Sequence, residues 1–113
     1  MRKILVTGAV AAVLSFASPD LALAFECPGH FEKARQEIAR VSQALEAAGD
    51  EMPAADRALV HALLDDAKML LSGGEHNHAK PQGKYDHARA IAKANSAQAY
   101  ARAAGMLLER TSG

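Results

Sequence analysis

The sequence predicts an all-α fold, an up-down-up three-helix bundle that follows a cleaved signal peptide. Three observations carry this reading. Apolar residues recur at spacings of three and four, the period of one helix face. No stretch alternates apolar and polar residues as a half-buried strand would. Proline and glycine divide the periodic segments into three, with connections short enough to make neighbouring helices antiparallel.

The N-terminus reads as a leader. "MRKILVTGAVAAVLSFASPDLALA" carries Arg2 and Lys3, then an apolar run from Ile4 to Ala17, then the small-x-small pattern Ala22-Leu23-Ala24. These are the three parts of a secretory signal peptide, and the apolar run is too short to span a bilayer. Cleavage is expected after Ala24, giving residues 1–24 as signal peptide and residues 25–113 as one small helical domain, with the periplasm as its location. Cys27 does not directly follow Ala24, so a soluble protein is expected rather than a lipoprotein. Removing 24 of the 113 residues leaves 89. With Arg2, Lys3 and Asp20 gone, 11 basic and 12 acidic groups remain. That balance offers no basic face for nucleic acid and no basic amphipathic helix for a membrane surface. The expected partner is therefore neither nucleic acid nor membrane.

The first helix is expected over "PGHFEKARQEIARVSQALEAAG". Its stripe is Phe31, Ala34, Ile38, Val41, Leu45 and Ala48. Pro28 suits a first turn and Gly49 a C-terminal cap. Cys27, four residues before Phe31, extends the stripe. "GDEMP" makes a turn, and Pro53 opens a second helix, "PAADRALVHALLDDAKMLLSGG". Its stripe reads Leu59 or Val60, Leu63, Ala67 and Leu70, widened by Leu64 and Leu71, and Gly73-Gly74 is expected to stop it. A loop then runs to Gly83, with Pro81 and the glycines breaking regular structure. The third helix runs from about Tyr85 to Arg110. It is rich in alanine, which favours helix and buries little, so close backbone packing is expected. Asp86 suits the positive end of its dipole. Phe25, Phe31, Tyr85 and Tyr100 are the aromatics available to the core, and Met52, Met69 and Met106 its flexible filler.

The chemistry-bearing residues cluster. "GEHNHAKPQGKYDHARA" holds His76, His78 and His87, three of only five histidines. In an up-down-up bundle the start of the first helix, the end of the second and the start of the third share one end. Cys27, His30, His76, His78 and His87 therefore converge there. His61, about ten residues before the end of its helix, stands roughly 16 Å off at 1.5 Å per residue; pairing with Asp65 or simple exposure explains it. Thiolate with imidazole suits copper, zinc or nickel rather than calcium or magnesium. A transition-metal site is expected from Cys27, His30, His76 or His78, and His87, with copper the leading candidate. The spacing matches neither a zinc finger nor a covalent haem motif. After cleavage the free amine of Phe25, two residues before Cys27, offers a further copper(II) or nickel(II) chelate.

Three phrases, "HFEKARQEIARV", "HALLDDAKMLL" and "HARAIAKANSAQ", open on His30, His61 and His87. They resemble the repeated His…Ala…Ala/Lys phrases of the small His-rich metal-binding proteins of the bacterial periplasm (SmbP-like), over most of residues 30–108. The resemblance implies a helical bundle that binds divalent metals, copper among them, for buffering or scavenging. It implies ligand roles for His30 and His87. That family spreads many histidines along its helices. Five histidines, mostly at one end, and the added Cys27 suggest one defined site instead.

The competing reading is an interaction module with no metal role. The chain's one cysteine would then bridge two copies as a disulfide-linked homodimer, with the alanine-rich helix packed on a neighbour. An enzyme is not expected. A Cys–His pair begins nucleophilic chemistry, but nothing in the sequence supplies a cleft, an oxyanion hole or an inward carboxylate pair.

Overall fold

A computed structural model describes residues 19–83 and 85–112, with side chains described over 23–110 of these. Arg2, Lys3 and the apolar run of the expected leader lie outside the described residues. Three helices form: α1, Pro19–Ala48; α2, Ala54–Ala79; and α3, Asp86–Ser112. A single 3-10 turn, Gly49–Glu51, joins α1 to α2. Among the described residues there is no strand. The fold is the expected all-α three-helix bundle.

The core is built from one stripe per helix. On α1 it runs Cys27, Phe31, Ala34, Ile38, Val41 and Leu45. On α2 it is Val60, Leu64, Ala67, Leu71 and Gly74, so the helix turns Leu64 and Leu71 inward and leaves Leu63 and Leu70 at the margin. On α3 it is Ala90, Ala94, Ala97, Ala101, Ala104 and Leu108. Five of those six residues are alanine, and α3 packs closely against both α1 and α2. Small side chains let backbones approach, so the thin core is sealed by proximity rather than by bulk. Phe31 is the aromatic of this core. Phe25, Tyr85 and Tyr100 are exposed, as are Met69 and Met106, against the expectation that they fill it; Met52 does fill it.

Two boundaries differ from those expected. Helix α1 continues N-terminally through Pro28 to Pro19. Pro28 has no N–H for the carbonyl of Ala24, so one helical bond is missing there. Helix α2 runs straight through Gly73-Gly74, and the expected loop from Gly73 is instead its last turns. The reason is tertiary. A Cβ on Gly74 would lie 2.9 Å from the carbonyl oxygen of Ala90 and 3.3 Å from both Lys93 Cβ and Phe31 Cε1. Glycine is there because α3 and Phe31 occupy the space, and packing holds the helix despite its low propensity. The helix ends at Ala79. Lys80 leaves the helical region at φ −132°, ψ 66°, as a residue before proline does, and its N–H closes the last turn on the carbonyl of His76 at 2.9 Å.

At the other end Gly49 takes φ 53°, the left-handed conformation that terminates α1 as expected. Asp86 does more than complement a dipole. Its side chain is 2% exposed, accepts the backbone N–H of Gln82, and accepts from Arg89 at 2.9 Å. The Asp86 N–H donates to the carbonyl of Gly83 at 3.1 Å. One carboxylate thus folds the 80–85 connection onto the first turn of α3. The Gln82 N–H, with Arg89 adding to it, holds this carboxyl below the ordinary range against the opposing effect of burial.

Two predictions follow from these contacts. Gly74→Ala gains helix propensity of about 1 kcal/mol but overpacks a backbone contact, at about 1–3 kcal/mol; the melting midpoint falls. Gly73→Ala meets only the flexible end of Lys93, at 3.4 Å, and raises it. Thermal melts by circular dichroism read the opposite signs. For Asp86, a lowered folded pKa means stability that is complete above the unfolded carboxylate value, about 3.9, and lost as pH falls from there through the folded value. Asp86→Asn removes that contribution, so acid unfolding of the variant becomes shallower while its stability at pH 7 drops.

Candidate metal centre

Each of the three core stripes ends in a donor. Cys27 closes the α1 stripe, four residues before Phe31. His78 closes the α2 stripe, four residues after Gly74. His87 opens the α3 stripe, three residues before Ala90. Because α1 and α3 begin where α2 ends, the three donors meet. One ligand atom from each of Cys27, His78 and His87 lies within 4.8 Å of the other two. Metal–ligand lengths of roughly 2.0–2.3 Å place donor atoms about 3.5 Å apart around an ion. Closing that gap takes about 1 Å, within the reach of side-chain rotation.

The surroundings are apolar and ordered. Cys27 has 0% exposure, and its Sγ donates to the carbonyl oxygen of His87 at 3.6 Å. Burial, reinforced by the charge of Glu26, pushes the thiol pKa up, so it stays protonated until something displaces the proton. The rings of Phe31 and His78 meet edge to face, with centroids 5.6 Å apart, and those of His78 and His87 meet likewise at 5.4 Å. Both imidazoles are part-buried. The Nδ1 atoms of His78 and His87 are fully buried and have no hydrogen-bond partner. A buried polar atom left unpaired costs about 1–3 kcal/mol, and each of these two is an atom that a ligand would satisfy.

The last turns of α2 are pinned from both sides. Glu75 pairs with Arg35 of α1 at 2.8 Å, and Lys93 of α3 donates to Asn77 at 2.7 Å. The first contact is solvent-exposed and contributes little energy. Both fix the rotation of the turn that carries His78.

The other candidates stand differently. His30, on α1, donates through Nδ1 to Asn95 Oδ1 of α3 at 3.0 Å. His76 is exposed on α2, with its carbonyl committed to Lys80. His61 is exposed in mid-helix. The structure therefore brings together Cys27, His78 and His87, and does not gather His30 and His76 with them. Sequence reasoning left His76 and His78 interchangeable because it ended α2 at Gly73-Gly74. Continuing the helix would have separated them, since only His78 falls four residues after Gly74 and seven after Leu71. It also missed Phe31 as the ring that shields the site.

The arrangement predicts a sheltered thiol. Ellman's reagent should label Cys27 far more slowly in the folded, metal-free protein than in denaturant, and His78→Ala should speed the folded reaction. Equal folded and denatured rates would contradict the burial. Compared with protein-family models, with curated proteins and with solved structures, the chain matches none of them.

Proposed function

We propose that the protein is a periplasmic metal-binding protein that holds one transition-metal ion in a Cys/His site at one end of its bundle. The observation that carries this reading is the convergence of Cys27, His78 and His87 with two buried, unpartnered Nδ1 atoms. A soft thiolate with two imidazoles selects copper, zinc or nickel over oxygen-seeking cations. Metal would displace the Cys27 proton and tie α1, α2 and α3 together, adding binding free energy to folding. Cys27, His78 and His87 are the principal ligands. His30 and His76 are the outer candidates, His30 able to join only by leaving Asn95. The assignment to a binding protein, with no catalysis, agrees with the resemblance to small His-rich periplasmic proteins.

Export and processing belong to the same proposal. Cleavage after Ala24 would make Pro28 the fourth residue. There its absent N–H would cost nothing, because first-turn N–H groups have no helical acceptor. Among the described residues no helix is long and apolar enough to cross a membrane.

The alternative is a helical interaction module. It draws support from exposed Leu59, Met69 and Tyr100, and from an open groove of about 340 Å³ lined in part by Met69, Leu70 and Tyr100. Its disulfide-linked form requires Cys27 to leave the core, where it has no exposed surface. Sizing with and without reductant separates the two readings.

Titration of the metal-stripped protein with Cu(I), Cu(II), Zn(II) and Ni(II) tests the main proposal. One ion per chain is expected, with saturating metal at 100-fold the Kd stabilising the fold by about 2.7 kcal/mol. Loss of any principal ligand to alanine should weaken binding at least tenfold, whereas His61→Ala should not. Binding that is unchanged in a Cys27→Ala, His78→Ala, His87→Ala variant ends the proposal. Amino-terminal sequencing of periplasmic protein should read Phe-Glu-Cys.

A further inference from the structure

Resting on that metal reading, we propose that the site is a one-electron copper centre, cycling between Cu(II)–thiolate and Cu(I)–thiolate, rather than a store for exchangeable metal. Four observations converge on it. First, the ligand set is one sulfur and two imidazoles. Among the described residues no fourth His, Cys, Asp or Glu donor joins the group. Structural zinc closes its shell with four protein ligands, whereas a trigonal set of one Cys and two His is the ligand set of copper electron-transfer centres. Such centres tolerate a weak axial backbone oxygen, and the carbonyl oxygen of His87 stands 3.6 Å from the Cys27 sulfur.

Second, the charge suits both oxidation states. One thiolate and two neutral imidazoles leave Cu(I) neutral and Cu(II) at a single positive charge. The ring of Phe31 against His78 and the burial of Cys27 disfavour net charge, and so favour reduction.

Third, the thiolate is protected from its usual fate with Cu(II). Free thiols reduce Cu(II) and couple as disulfides. Cys27 is the chain's one cysteine and has 0% exposure, so no second sulfur can reach it while the fold holds. Fourth, the sulfur is enclosed while both imidazoles are part-exposed. The histidine side of the site is thus nearer to solvent than its sulfur side, and is where an electron would enter.

The step balances simply. A one-electron donor, a reduced haem or copper protein, passes one electron to Cu(II), which becomes Cu(I). An oxidised protein of the same class takes it back. The copper–sulfur bond persists, no other bond forms or breaks, and no proton need move, because Cys27 gave up its proton when the metal bound.

The test uses protein expressed from the full-length sequence and stripped of metal. One equivalent of Cu(II) should produce an intense visible sulfur-to-copper charge-transfer band. In electron paramagnetic resonance the parallel copper hyperfine splitting should be narrowed by delocalisation onto sulfur. Ferrocyanide or ascorbate should bleach the band and ferricyanide restore it over repeated cycles, with the protein remaining unbridged on a non-reducing gel. These readouts are taken on the native chain. Cys27→Ser should then abolish the band, and His61→Ala should leave it intact. A weak band from nitrogen-bound Cu(II) alone, or bleaching accompanied by Cys27-linked dimers, overturns the redox proposal. If either occurs while one equivalent of Co(II) or Zn(II) still binds through Cys27, the metal-binding reading survives. If no metal binds, both fall.

Discussion

The contact on which the site depends is the approach of α2 to α3 at Gly74. A hydrogen there lets the carbonyl of Ala90 and the edge of Phe31 come within distances that any Cβ would forbid. Glycine in mid-helix costs about 1 kcal/mol relative to alanine. Here the cost is offset by packing that a larger residue would lose. One turn further on, the same close seam carries His78 to His87 and both to Cys27. The alanines of α3 keep the seam narrow along its whole length, since each contributes a methyl and nothing that would push the backbones apart. The geometry at the donor end is thus inherited from small residues, and the polar chemistry is added at its margin.

Asp86 serves that margin in a second way. A short connection between antiparallel helices must turn the chain while leaving few backbone groups unsatisfied. The carboxylate takes the N–H of Gln82 and the guanidinium of Arg89, and so fixes where α3 begins. His87 is the next residue, and its ring direction follows. Glu75 with Arg35, and Asn77 with Lys93, do the same for the final turns of α2. A donor set made of three residues from three helices needs each helix end fixed in rotation as well as position. These polar contacts, modest in energy, provide that.

Much of this was legible in the residues. The three stripes, the turn at Gly49, and the convergence of Cys27 with His78 and His87 all follow from period and connectivity. What stayed hidden was tertiary. Gly73-Gly74 carries the local signature of a stop, and the partners that overrule it, Phe31 and Ala90, are distant in sequence. A reader of the chain cannot tell a glycine that ends a helix from one that admits a neighbour. That single ambiguity left His76 and His78 equivalent. The aromatics were misplaced for a related reason. Tyr85, Tyr100 and Phe25 are large and apolar enough to suggest a core, but they lie off the three stripes and stay exposed. Pro28 was assigned a first turn, yet α1 passes through it to Pro19.

The donors occupy one pole of the bundle, while Gly49–Met52 turns the chain at the opposite pole, where Arg57 donates to the carbonyl of Met52 at 3.0 Å. An ion bound at the first pole would suppress fraying there and leave the second untouched. Amide hydrogen exchange in the loaded protein would then form a gradient along the helix axes, slow near Phe31 and Ala90 and fast near Leu45 and Leu108. Opening would begin at the turn that the ion does not clamp.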